Sequence, residues 1–174
     1  MKKFKGYIQV YTGEGKGKTT CAVGLTIRAV GARLKVAFFQ FFKPDTSSEV
    51  NILKSFYPQV YYKNFGKGGF VKNKIDSEIK KLILEGWEET KKLVNSKSYN
   101  IIVLDEIIYA LNWGIIELKE FLKILQNKPE ELEIIITGRS APDKLIEIAD
   151  LVTEMKKVKH YYEKGVKARK GIER

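Results

Sequence analysis

Three glycines, two lysines and three threonines, two of them adjacent, are gathered in Thr12-Gly13-Glu14-Gly15-Lys16-Gly17-Lys18-Thr19-Thr20, between an apolar run and a helix-like segment. Glycines without Cβ atoms let consecutive backbone N–H groups converge on an anion. A helix beginning at Lys18 aims its positive dipole end at the same point, Lys18 adds a point charge, and the Thr19 hydroxyl can ligate Mg²⁺. The ligand this predicts is a polyphosphate nucleotide, with Gly13, Glu14, Gly15, Lys16, Gly17, Lys18, Thr19 and Thr20 around its phosphates. The spacing is not the common one: only Glu14, Gly15 and Lys16 separate Gly13 from Gly17, where the usual loop has one residue more. Either Thr12 takes the first place or the loop is shorter, and γ-phosphate transfer becomes a weaker default. A merely flexible basic turn would leave the order strand, loop, Lys-Thr, helix unexplained.

A second group of chemical residues closes two later apolar runs. Ile101 to Leu104 ends in Asp105-Glu106, and Leu132 to Thr137 ends in Gly138-Arg139. An acid pair after a buried strand, in a chain that also carries a phosphate loop, suits a metal bridging phosphate oxygens: Thr19, Asp105 and Glu106 are the candidate ligands of Mg²⁺ or Mn²⁺. Arg139 could neutralise a phosphate or pair with an acid, and the sequence leaves both open.

The elements that must position these residues alternate. Gly6 to Tyr11, Lys35 to Phe42, Gln59 to Lys63, Ile101 to Leu104, Leu132 to Thr137 and Leu151 to Met155 read as strands. Helices are predicted over Lys18 to Ala32, Asp76 to Ser96 and Glu117 to Gln126, with another opening at Pro142. In the second of these Ile79, Leu82, Ile83, Trp87, Leu93 and Val94 recur at helical spacing, which places Trp87 in the core. Strands alternating with helices predict a RecA-like α/β P-loop fold: a mostly parallel sheet with helices on both faces and ligands at the carboxyl ends of the strands. Residues 1–174 read as one such domain, with 156–174 a basic tail.

The 174 residues and 44% hydrophobic content suit a single core and exclude wholesale disorder. The net charge of +11 predicts anionic partners without choosing among them. One cysteine, Cys21, excludes an internal disulfide framework and points to a reducing, cytoplasmic setting; within a helix it is expected to be buried rather than reactive. No apolar run spans a bilayer and no signal peptide is legible, so no membrane partner is expected.

Taken together, the motifs resemble the P-loop ATP:corrinoid adenosyltransferases. The resemblance rests on the loop, on Arg28-Ala29-Val30-Gly31, on Gln40-Phe41-x-Lys43, on Leu104-Asp105-Glu106, on Ile136-Thr137-Gly138-Arg139, and on a tail running from Val158-Lys159-His160 through Gly165-Val166-Lys167-Ala168 to Gly171-Ile172-Glu173. It implies that cobalt(I) of a corrinoid attacks the ribose C5′ of the co-substrate ATP and expels triphosphate. It further implies catalytic roles for Lys18 and Arg139, an ATP contact from Arg28, auxiliary roles for Lys16 and Lys43, a homodimer, and an electron donor such as a flavoprotein. Phe70 and Val71 stand where the family holds apolar residues beneath the corrin ring, although Lys72 replaces the Trp found in relatives. The tail is expected to complete the site as a lid, and His160 to serve as a structural hydrogen-bonding residue. Two other classes share the loop: a small-molecule kinase or nucleotide hydrolase, and a RecA-like nucleic-acid-binding ATPase. Neither explains the Thr-Gly-Arg strand end or the tail, and the even spread of lysines argues against a nucleic-acid groove.

Overall fold

The computed structural model describes residues 4–67 and 76–173. Its six strands are β1 (Ile8–Thr12), β2 (Val36–Phe41), β3 (Val60–Phe65), β4 (Ile101–Asp105), β5 (Glu133–Thr137) and β6 (Leu151–Glu154). They form one sheet in the order β3-β2-β4-β5-β1-β6, and every pair is parallel. The chain leaves β1, crosses β5 and β4 to lay down β2 and β3, and returns to fill the gap. That reversal leaves a crevice at the carboxyl ends of β1 and β4. Strand β5 stands between them, so the phosphate loop and the acid pair face each other across one strand.

Helices α1 (Lys18–Gly31) and α2 (Ser48–Ser55) precede β2 and β3; α3 (Ser77–Ser96), α4 (Ile108–Asn112), α5 (Leu118–Gln126) and α6 (Asp143–Ile148) follow. The period of two along the strands splits the core. Ala37, Phe39 and Phe41 of β2, with Ile102 and Leu104 of β4 and Ile134 and Ile136 of β5, pack with α3 to α6. Val36, Phe38, Ile101, Val103 and Ile135 point the other way, onto α1 and α2. Trp87 lies in the first cluster against Phe121, ring centroids 5.2 Å apart. Helix α3 opens on Asp76, whose carboxylate accepts the Glu78 N–H at 3.2 Å, and closes on Lys97 in a left-handed conformation.

The sequence reading differs from the structure in a few places. Pro142 is the residue before α6 rather than inside its first turn. Cys21 is exposed, a correction to its expected burial: it lies one position off the buried stripe of Ala22, Thr26 and Ala29. Phe70 and Val71 fall outside the described residues.

Two glycines of helices test the packing. A Cβ on Gly86 in α3 would stand 2.6 Å from Phe65 Cγ and 2.7 Å from Phe41 Cε1, whereas Gly24 in α1 has nothing within 4 Å. Gly86→Val should therefore cost about 1–3 kcal/mol through overpacking, while Gly24→Ala should stabilise by about 1 kcal/mol through helix propensity. Urea unfolding of both variants checks the pair; equal effects would mean that the helix–sheet contact is looser than described.

Candidate active site

Four strand ends contribute. After β1 the chain enters the phosphate loop with Gly13 at φ +96° and Gly17 at φ +126°, conformations that side chains with a Cβ adopt only under strain. The loop is braced from behind: the Gly15 N–H donates to the Met155 carbonyl at 2.6 Å, and a Cβ on Gly15 would stand 2.6 Å from that oxygen. Lys18, almost fully buried, curls back so that Nζ donates to the carbonyls of Gly13 at 2.6 Å and Gly15 at 2.9 Å. Burial depresses its pKa, as for any ammonium drawn from water.

Asp105, fully buried at the end of β4, is the hub. Its Oδ1 accepts from Thr137 Oγ1 at 2.7 Å and Thr19 Oγ1 at 2.9 Å. Its Oδ2 accepts from Lys43 Nζ at 3.0 Å and Gln40 Nε2 at 3.2 Å. Gln40 is in register with Asp105 on the adjacent strand, and the Tyr62 hydroxyl donates to the Gln40 Oε1 at 3.0 Å. Burial opposes the Asp105 charge, yet the Lys43 ammonium with the bonds from Thr137 and Gln40 outweighs it and holds the carboxyl below its ordinary value. Glu106 behaves oppositely: burial raises its pKa, only partly countered by Lys43. Its backbone is left-handed at φ +67°, and its N–H donates to Thr137 Oγ1 at 2.9 Å. A non-glycine residue in that region is strained, and the turn swings the Glu106 carboxylate from the strand end to the crevice floor.

Lys43 stands among three oxygens, with Nζ 2.5 Å from Thr19 Oγ1, 3.0 Å from Asp105 Oδ2 and 3.3 Å from Glu106 Oε1. Hydroxyl and carboxylate oxygens are the donors that Mg²⁺ or Mn²⁺ takes. A position already holding an ammonium against them is one where a cation fits. Among the described residues no cluster of three His, Cys, Asp or Glu side chains forms a self-sufficient metal cage.

Of these groups the loop residues from Glu14 to Thr20, with Lys43 and Glu106, line a cavity of about 690 Å³. Beyond Lys43 its wall is aromatic: Phe42, Tyr109 and Trp113 meet at centroid distances of 5.2 to 6.1 Å, with Trp113 43% exposed. Sequence reasoning missed this wall. Its signal was Tyr109 and Trp113 four residues apart after the acid pair, one helical turn on a common face. Thr137 and Gln40 are legible at strand ends, but nothing in the sequence ties them to Asp105.

Arg139 reaches back across the crevice, Nη1 donating to Glu14 Oε2 at 2.7 Å, so the loop acid and this guanidinium are paired. Arg28 is not brought in. It sits exposed in the last turn of α1, about 15 Å along the axis from Lys18 at the usual rise per residue. Within its own chain Arg28 therefore lies away from the phosphate loop.

The tail returns to the loop. Lys16 Nζ donates to the Ile172 carbonyl at 2.8 Å and lies 3.8 Å from Glu173 Oε1. Glu173 also accepts from the Tyr161 hydroxyl and pairs with Arg169 at 3.0 Å. His160 Nδ1 accepts the Tyr162 N–H at 3.1 Å, opening a short 3-10 turn over Tyr161–Lys164. His160, Gly171, Ile172 and Glu173 thereby join the cavity lining.

Residues 4–174 match the family model described as ATP:corrinoid adenosyltransferase BtuR/CobO/CobP. The corrinoid adenosyltransferase of Pseudomonas aeruginosa is 36% identical over 171 residues, covering 97% of this chain and 84% of that protein. That of Escherichia coli is 35% identical over 170 residues (97% and 86%), and that of a Sinorhizobium species 34% over 172 residues (97% and 80%). Among solved structures, the flagellar accessory protein FlaH of Methanocaldococcus jannaschii superposes with a TM-score of 0.57 at 13% identity, covering 87% of this chain and 72% of that one. This likeness bears on the fold alone, which is RecA-like. A phosphate loop facing an acid pair across one strand, a tail folded over that loop, and a family match along nearly the whole chain place this protein in the ATP:corrinoid adenosyltransferase family.

Proposed function

We propose that this chain transfers the 5′-deoxyadenosyl group of ATP to the cobalt(I) of a corrinoid and releases triphosphate. The observation that carries the reading is a cavity in which the loop, Lys18, Glu106 and an aromatic wall meet, with Asp105 buried directly behind it. Charge complementarity suits one end to triphosphate, and the apolar end suits a flat, largely hydrocarbon macrocycle.

In this step cobalt(I) donates its electron pair to C5′, a Co–C bond forms, and the C5′–O bond breaks with its pair left on the departing triphosphate. The nucleophile needs no deprotonation, so no general base is required. What the residues must do is receive negative charge and align the bond for in-line attack. Lys18 Nζ exchanges the Gly13 and Gly15 carbonyls for phosphate oxygens, the loop amides add donors, and Arg139 leaves Glu14 to pair with the triphosphate; Lys16 assists. Mg²⁺ or Mn²⁺, held by Thr19 and Glu106 with Asp105 behind them, would supply Lewis-acid neutralisation of the phosphates.

The tail, residues 156–174, acts as a lid: its bonds to Lys16 tie it to the phosphate loop. Phe70 and Val71 remain proposed corrinoid contacts on the strength of their motif. Cobalt must be reduced to cobalt(I) before attack, which assigns an external one-electron donor such as a flavoprotein. A homodimer and a cytoplasmic setting complete the proposal, in keeping with family membership and with the absence, among the described residues, of a helix long and apolar enough to cross a membrane.

The test is anaerobic incubation with ATP, Mg²⁺ and a cobalt(I) corrinoid, following the corrinoid spectrum while the phosphate product is identified. A photolabile alkyl-cobalt species with stoichiometric triphosphate is the expected result. ADP without spectral change would instead indicate a kinase or hydrolase.

A further inference from the structure

Among the described residues Lys43 is the one lysine whose ammonium sits inside the acid cluster. Its three oxygen partners come from the start of α1, the end of β4 and the residue after it, and they are the oxygens that the functional reading above assigns to a divalent cation. Ammonium and metal cannot occupy that position together. The backbone carrying Lys43 is fixed: its N–H donates to the Phe41 carbonyl at 2.7 Å, and its carbonyl accepts from Asn64 Nδ2 at 2.9 Å. A Cβ on Gly66 would stand 2.6 Å from that carbonyl oxygen, so the neighbouring segment closes over it. Phe42, at φ +62°, turns the chain so that Lys43 points into the crevice. The side chain, 28% exposed, is thus a tethered cation on a flexible stem with room to swing toward the cavity. When it does, Asp105 keeps its bonds from Gln40 and Thr137.

We propose that Lys43 is a built-in counter-cation: it holds the Thr19–Asp105–Glu106 position closed to divalent metal in the nucleotide-free protein, and yields it only to metal arriving on a triphosphate, which then receives the ammonium. The proposal rests on the metal placement above and adds an order to it, since metal and nucleotide enter together and free metal is excluded. The attraction is mutual in the bound state. A polyphosphate offers Lys43 more negative charge than the acids it leaves, whereas metal alone offers it none and repels it.

The probe is Mn²⁺ alone, followed by electron paramagnetic resonance on the nucleotide-free full-length chain, wild type against Lys43→Met, which keeps the apolar stem and removes the charge. Wild type should leave Mn²⁺ free until ATP is added. Lys43→Met should bind Mn²⁺ without ATP at least tenfold more tightly than wild type, and its Tm should rise with Mn²⁺ alone where that of wild type does not. Lys43→Arg, which retains the charge, should exclude the metal as wild type does. If Lys43→Met does not fold, the wild-type titration still decides, because tight binding of Mn²⁺ alone overturns the proposal. Equal affinity in wild type and Lys43→Met overturns it as well, while leaving the metal placement intact. Failure of Mn²⁺ to bind any form even with ATP overturns the placement and the proposal with it. None of these readouts involves a corrinoid, so their failure is separable from failure of the adenosyl-transfer reading.

Discussion

Lys18→Ala should lower kcat/KM for adenosyl transfer by about 10³-fold, the scale set by removing one preorganised donor from a developing oxyanion, and leave the fold intact. In the ligand-free protein the ammonium is buried against the Gly13 and Gly15 carbonyls. Those carbonyls belong to the loop that must open toward phosphate, so their bonds to Lys18 are temporary ones. Burial already disfavours the charge, and truncation relieves that cost while removing two hydrogen bonds. The two effects oppose each other, and stability should change by no more than about 1 kcal/mol. ATP binding should weaken less than turnover, because the loop amides and Arg139 remain and the charge that Lys18 meets is largest in the transition state. Triphosphate release, corrinoid spectrum and thermal melting measured on one preparation check all three statements. Retained adenosylation with normal kcat would remove Lys18 from the mechanism.

Much of this candidate site is legible in the sequence alone. The loop announces itself because its glycines, lysines and threonine are contiguous, and a local feature survives any error in the fold around it. The acids after β4 and the Thr-Gly-Arg after β5 were legible because buried parallel strands are continuous apolar runs, whose ends are sharp when a charged residue follows. Short elements were not legible: α4 spans only Ile108–Asn112 and α2 only Ser48–Ser55, too few turns to establish a period. Nor were contacts set by register. Gln40 meets Asp105 because β2 and β4 pair residue for residue, and no spacing within either strand encodes that pairing. The left-handed turn at Glu106 was equally hidden, since nothing about a glutamate advertises φ +67°. Arg28 shows the converse: it lies within a recognisable motif, but at the far end of its helix from the loop, a distance that no motif states.

The same network separates the two acids, and their removal should have opposite consequences for the fold. Asp105 accepts from four side chains on four segments, and its folded-state pKa is depressed, so folding favours its charged form. Stability from such a group is present above the unfolded pKa of about 3.9 and disappears as pH falls through the lower folded value. Asp105→Ala should cost about 3–5 kcal/mol, the penalty for breaking a buried ion pair, and lower Tm by roughly 10 °C in a chain of this size. It should also be inactive wherever it remains folded. Glu106 has the reverse sign: burial raises its pKa, so folding disfavours its charged form. Glu106→Gln removes that charge and leaves Lys43 paired with Asp105 at 3.0 Å. The nucleotide-free variant should therefore melt at or above the wild-type temperature, while its Mg²⁺ requirement for turnover shifts to higher concentration. Thermal melts at pH 7 with a parallel Mg²⁺ titration distinguish the acids: a fall in Tm for Glu106→Gln as large as that of Asp105→Ala would make both acids structural, and an unchanged Mg²⁺ titration would move the metal to Asp105 alone.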